Sequence, residues 1–122
     1  MKLLNDFFTI SSSTENGNEL IYNIHLNKEH FIYAAHFPGN PITPGVCIMQ
    51  MVQELVEQHL NVKLQLKTLN NIKYMSVISP VTDADISISV SYTLNDDTVK
   101  IKGGIRNESA TFTKYSATYI KL

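Results

Sequence analysis

The order of hydrophobic patterns along the chain predicts an α+β fold, a curved antiparallel sheet packed around one long central helix. Three observations carry that expectation. Two β-like segments come first, a single long stretch of helical periodicity follows, and about four β-rich runs complete the sequence. At 122 residues, one domain spanning 1–122 is expected.

The first two segments, 7–13 and 19–27, flank Thr14-Glu15-Asn16-Gly17-Asn18. The Asn-Gly pair favours positive φ, so a hairpin is predicted there. In its second arm Leu20, Tyr22, Ile24 and Leu26 alternate with Asn23, His25 and Asn27, which assigns the apolar set to one face of a strand. Residues 28–43 hold aromatics, histidines, prolines and a glycine with no sustained period, and read as an ordered, crowded loop. Over 44–60 the residues Ile48, Met49, Val52, Leu55, Val56 and Leu60 form one stripe at helical spacing. Thr43 is placed to cap that helix, and Pro44 to occupy a first-turn position where a missing N–H costs nothing. Strands are then predicted at about 69–78, 84–94, 98–106 and 110–121. Gly103-Gly104 marks a bulge or a close backbone approach within one of them.

Composition narrows the function. The chain is 43% hydrophobic and 17% charged, which is ordinary globular usage and excludes a disordered or collagen-like protein. Ten basic against eleven acidic side chains leave no global positive field for nucleic acid or anionic lipid. A lone cysteine, Cys47, excludes an intramolecular disulfide framework and suits a reducing compartment. Asn5 and Asp6 end the first apolar run far short of a signal-peptide core, and nothing approaches the roughly 20 apolar residues of a membrane span. A soluble cytoplasmic protein is therefore expected. His25, His30 and His59 lack zinc spacing with Cys47, and no phosphate-loop or dinucleotide motif is present, so no metal or cofactor site is predicted.

Chemistry concentrates in His36-Phe37-Pro38-Gly39-Asn40-Pro41-Ile42-Thr43-Pro44-Gly45-Val46. Three prolines and two glycines restrict this loop at defined points. It feeds a helix whose first N–H groups lack intrahelical acceptors and sit at the positive end of the macrodipole. Gly45 and Val46 are thus candidate donors to an oxygen that gains negative charge during reaction. Imidazole titrates near neutrality, so His36 is a candidate base.

This run closely resembles the active-site loop of the beta-hydroxyacyl-(acyl carrier protein) dehydratases of the hot-dog fold. A looser likeness lies at Tyr74–Asp83, where Tyr74, Ile78 and Pro80 match, while Val77, Val81 and Thr82 replace a proline, a glycine and an aspartate of that family's stretch. The resemblance implies loss of water from a 3-hydroxyacyl thioester, carried by acyl carrier protein, to give the trans-2-enoyl thioester. His36 would take the α proton and the Gly45 N–H would polarise the thioester oxygen. Phe37, Gly45 and Val46 would bind substrate, and Phe31, Tyr33 and Phe37 could line an acyl tunnel. It further implies a homodimer with site groups from two subunits, and neither metal nor dissociable cofactor.

One position departs from the pattern. Where the family carries a glutamate or aspartate, fourteen residues after the histidine, this chain has Gln50. An amide orients a hydroxyl but does not serve as a general acid. Glu54 stands four residues on, about 6 Å along the same helical face. It is either a relocated acid acting through water, with Gln50 orienting the leaving hydroxyl, or a solvated or interface carboxylate. His36 returning the proton itself is the other route. The same departure leaves open a non-catalytic acyl-thioester binder or a heteromeric dehydratase subunit, and the fold also admits an acyl thioesterase. Lys63, Lys67, Lys73, Lys100, Lys102 and Arg106 are dispersed in sequence and define no carrier-protein docking patch on their own.

Overall fold

The computed structural model describes residues 2–36 and 38–122. Six strands form one antiparallel sheet: β1 (Phe8–Asn16), β2 (Glu19–Leu26), β3 (Leu64–Tyr74), β4 (Asp85–Asn95), β5 (Thr98–Arg106) and β6 (Thr111–Lys121), in the spatial order β1-β2-β4-β5-β6-β3. Helix α1 (Phe31–Ala35) precedes the long helix α2 (Gly45–Leu60). This is the hot-dog arrangement that the resemblance implies. No helix among the described residues is long and apolar enough to cross a membrane.

Strand alternation builds the core. Leu20, Tyr22, Ile24 and Leu26 of β2 are all buried, as are Ile86, Ile88 and Val90 of β4 and Val99, Ile101 and Ile105 of β5. These inward rows share one apolar cluster with Cys47, Ile48, Met51, Val52, Leu55 and Val56 of α2. The predicted helical stripe holds at its centre and shifts at its flanks: Met51 is fully buried, while Met49 and Leu60 pack only at the rim. Gly103 answers to close approach rather than a bulge, since its ladder with β4 is continuous and a Cβ there would stand 2.9 Å from the Ser89 carbonyl oxygen.

Several boundaries differ from expectation, each for a local reason. β1 runs on to Asn16, so the hairpin turn shrinks to Gly17 and Asn18, with Gly17 at φ 63°. β3 begins at Leu64 and ends at Tyr74, not at 69 and 78. It pairs only with β6 and changes register twice, which blurs its alternation, and it ends where the Met75 and Ser76 N–H groups turn onto the Phe112 carbonyl. The 28–43 segment contains α1, too short at five residues to show a period. Thr43 does not cap α2. Pro44 occupies the N-cap position with no side-chain bond, and its carbonyl accepts from the Cys47 and Ile48 N–H groups at 3.0 and 3.1 Å. Thr43 is instead buried, its Oγ1 paired with the Tyr33 hydroxyl at 3.0 Å and its N–H donating to the Ile78 carbonyl at 2.8 Å.

That Tyr33–Thr43 contact ties the two ends of the loop together. Burial pushes the Tyr33 phenol up to about 12 from an ordinary 10.0, with the Thr43 bond partly opposing the rise. Because the folded value lies above the unfolded one, its contribution is complete below pH 10.0 and is lost as pH rises toward about 12. The full difference is about 3 kcal/mol. Urea unfolding at stepped alkaline pH is expected to show stability falling above about pH 10, and falling less steeply in Tyr33→Phe, which gives up about 1 kcal/mol of hydrogen bonding at neutral pH.

Candidate functional site

The start of α2 is built around a missing side chain. Gly45 is the first helical residue, and a Cβ there would overlap the Tyr74 phenol, whose Cζ would lie 2.7 Å away. The end of β3 therefore lies directly on the first turn. The Gly45 and Val46 N–H groups donate to no described residue, no acidic side chain sits in that turn, and Val46 is exposed. Two donors at the positive end of a 16-residue helix are the arrangement that stabilises an oxyanion.

His36 sits at the C-cap of α1, where its N–H donates to the Ile32 carbonyl at 2.9 Å. The residue is exposed, and among the described residues its imidazole has no hydrogen-bond partner. Phe37 lies outside the described residues. Of the other aromatics considered for a tunnel, Tyr33 is buried and stacks on Phe7 at 5.0 Å, whereas Phe31 is exposed and stacks on His30 at 4.6 Å.

Gln50 and Glu54 are brought together. The Gln50 Nε2 donates to Glu54 Oε2 at 2.8 Å. Glu54 is not solvated: only 7% of it is exposed, and its oxygens accept the Leu3 N–H at 3.0 and 2.8 Å and the Leu4 N–H at 2.8 Å. Gln50 and Glu54 line a groove of about 530 Å³ together with Lys2 and Leu4. His36, Gly45 and Val46 are not part of that groove, and among the described residues no hydrogen bond joins His36 to Gln50, Glu54 or Gly45 within the chain.

A family model of ApeI dehydratases, the ApeI-like family, matches residues 12–113. The chain belongs to the ApeI-like family. Among solved structures, this ApeI-like chain is similar to the dehydratase heterocomplex ApeI:P from Xenorhabdus doucetiae, with a TM-score of 0.74, 12% identity, and 91% of this chain and 96% of that one covered. It is also similar to a hypothetical thioesterase protein with coenzyme A from Streptococcus pneumoniae TIGR4 (TM-score 0.66, 12% identity, 94% and 85% covered). A third is an uncharacterized protein from Erwinia carotovora subsp. atroseptica (TM-score 0.64, 16% identity, 91% and 90% covered). No curated protein matches the sequence. These likenesses show that the ApeI-like chain shares the fold of those structures.

Other groups in the ApeI-like chain have structural duties. Burial raises the Cys47 thiol, so position outweighs the helix dipole and makes it a core residue rather than a nucleophile. Among the described residues no cluster of His, Cys, Asp and Glu is arranged to hold a metal. Thr113, opposite Tyr74 in the β3–β6 ladder, is fully buried with no hydrogen-bond partner for its hydroxyl among the described residues.

Sequence reasoning missed the contact between Tyr74 and Gly45. The loose match around Tyr74 was its only trace, because the two residues lie 29 positions apart. The contact predicts an energetic coupling. Gly45→Ala is expected to displace the Tyr74 ring at a cost of about 1–3 kcal/mol, and the cost should shrink to a few tenths in a Tyr74→Ala background. A double-mutant cycle from urea midpoints measures it; additive effects would show that the ring does not constrain position 45.

Proposed function

We propose that the protein removes water from a 3-hydroxyacyl thioester, delivered on an acyl carrier protein, to form the trans-2-enoyl thioester. The observation that carries this reading is the pair of N–H donors at Gly45 and Val46 with no acceptor among the described residues, fed by a loop that begins at His36, in a chain of the ApeI-like dehydratase family. In the reaction His36 takes the proton from the α carbon while the Gly45 N–H holds the thioester oxygen as negative charge collects on it. The electron pair forms the α–β double bond as the β C–O bond breaks. The departing hydroxyl recovers a proton from the His36 imidazolium and leaves as water.

The environment of Glu54 favours this return of the proton by His36 over delivery from a relocated acid. Both Glu54 oxygens are engaged by backbone N–H groups and by Gln50. In this reading Gln50 orients the leaving hydroxyl, and Glu54 holds Gln50. Phe37 and Val46 contact the acyl-thioester.

The reading includes a homodimer with a shared site. β3 is hydrogen-bonded on one side only, and Leu66, Leu69, Tyr74, Met75 and Val77 are exposed along and just beyond it. A second copy paired along this edge would cover them and could bring its Gln50 to His36 of the first. The carrier protein finds support in charge: β3, β5 and β6 contain no carboxylate, and Lys73 stands directly opposite Lys114. Like charges so placed repel unless an anionic surface meets them.

Incubation with a 3-hydroxyacyl carrier protein, followed by mass analysis, separates the outcomes. Enoyl product is expected. Free acid would indicate thioester hydrolysis, and unchanged bound substrate a non-catalytic binder or one subunit of a heteromer. His36→Ala is expected to lose about 100- to 10,000-fold in kcat. Glu54→Gln is expected to destabilise by about 1–3 kcal/mol, because an amide N–H₂ would face the Leu3 and Leu4 donors. If the folded Glu54→Gln protein lost as much turnover as His36→Ala, the relocated acid would be restored and this assignment of roles would fail.

A further inference from the structure

The segment before β1, residues 2–7, touches Glu54 on one side and the cap of α1, the helix that ends at His36, on the other. On one side the Leu3 and Leu4 N–H groups hold Glu54, which accepts from Gln50. On the other, Asp6 Oδ2 lies 3.1 Å from His30 Nε2, and His30 Nδ1 accepts the Ile32 N–H at 3.1 Å. Phe7, fully buried, meets the His30 ring edge-on at 5.2 Å and stacks on Tyr33. Leu3, 1% exposed, anchors the segment, and its carbonyl accepts from the Asp6 and Phe7 N–H groups.

We propose that this N-terminal strap is a positioning element: Asp6 orients the His30 ring that caps α1, and α1 ends on His36. The proposal rests on the reading of His36 as the base. Its logic is tautomeric. To accept from the Ile32 N–H, His30 Nδ1 must carry a lone pair, so the ring proton resides on Nε2 and is donated to Asp6. Without that acceptor the ring can turn or carry its proton on Nδ1 instead, and either event removes the cap. A helix of five residues does not persist on its own propensity. It depends on its cap and on Phe7 and Tyr33 packing, and whatever loosens it loosens the residue at its end.

Asp6→Ala and Asp6→Asn test this in the full-length protein, since the asparagine carbonyl can still accept the His30 proton. In Asp6→Ala, amide hydrogen exchange at Ile32 and His36 is expected to quicken about tenfold, with Val52 and Leu55 in α2 unchanged. On a 3-hydroxyacyl carrier protein its kcat should fall about tenfold with KM nearly constant. Asp6→Asn should restore both. Unchanged exchange at His36 in Asp6→Ala overturns the proposal, as does quickening that spreads equally through α2, which would mark a general loss of fold. Failure of the wild-type protein to make enoyl product would defeat the dehydratase reading alone, because the exchange measurement decides the strap without turnover.

Discussion

A carboxylate with little water around it must find its hydrogen bonds within the protein, and Glu54 finds them from two backbone N–H groups and one side-chain amide. None of these donors is a cation. Taking a charge out of water costs several kcal/mol, and neutral donors compensate only when they are held in place. Glu54 therefore demands order from the strap that surrounds it. The strap meets that demand by burying Leu3 and Phe7 and by closing a tight turn with Asn5 at φ 69°. Residues as separate as 3 and 54 depend on each other, and Gln50 is held by the same carboxylate.

The opposite constraint operates at the start of α2. There the N–H groups of Gly45 and Val46 have no acceptor among the described residues, while the surrounding residues are fixed. Pro44 supplies the cap carbonyl, Thr43 is bonded to Tyr33 and Ile78, and Tyr74 closes over the glycine. Donors that cannot relax toward a protein acceptor cost no reorganisation when a charge develops beside them. The helix thus keeps open hydrogen-bonding capacity at one end and holds a buried carboxylate about two and a half turns along.

Much of this was legible in the sequence wherever local periodicity sets structure. The alternation of Leu20, Tyr22, Ile24 and Leu26 and the stripe through Ile48, Val52, Leu55 and Val56 predict a strand and a helix that the structure contains, because one face of each must be buried. The helix start was legible to within a residue from Pro44 and Gly45. What escaped was non-local. Thr43 looks like a cap until Tyr33 claims its hydroxyl, β3 looks shorter at its start because its register shifts scramble the alternation, and the five-residue α1 is marked only by its His30 cap and by Phe7 packing on His30 and Tyr33. Glu54 shows the same limit: four residues from Gln50 it reads as a helix-surface carboxylate, and only its partners from residues 3 and 4 make it buried.

The pairing of an amide at position 50 with a carboxylate at position 54 then has a physical meaning. An acid at 50 would be placed to give a proton; the amide at 50 has no acidic proton to give and donates to the carboxylate at 54. Turning the amide toward Glu54 fixes which end of Gln50 faces the carboxylate, since only its nitrogen can donate. The carboxylate in turn stays ordered because the strap binds it. The helix face that offers acid chemistry in the dehydratase pattern is here an oriented amide backed by a buried carboxylate, which is why the proposed reaction gives both proton transfers to the exposed His36.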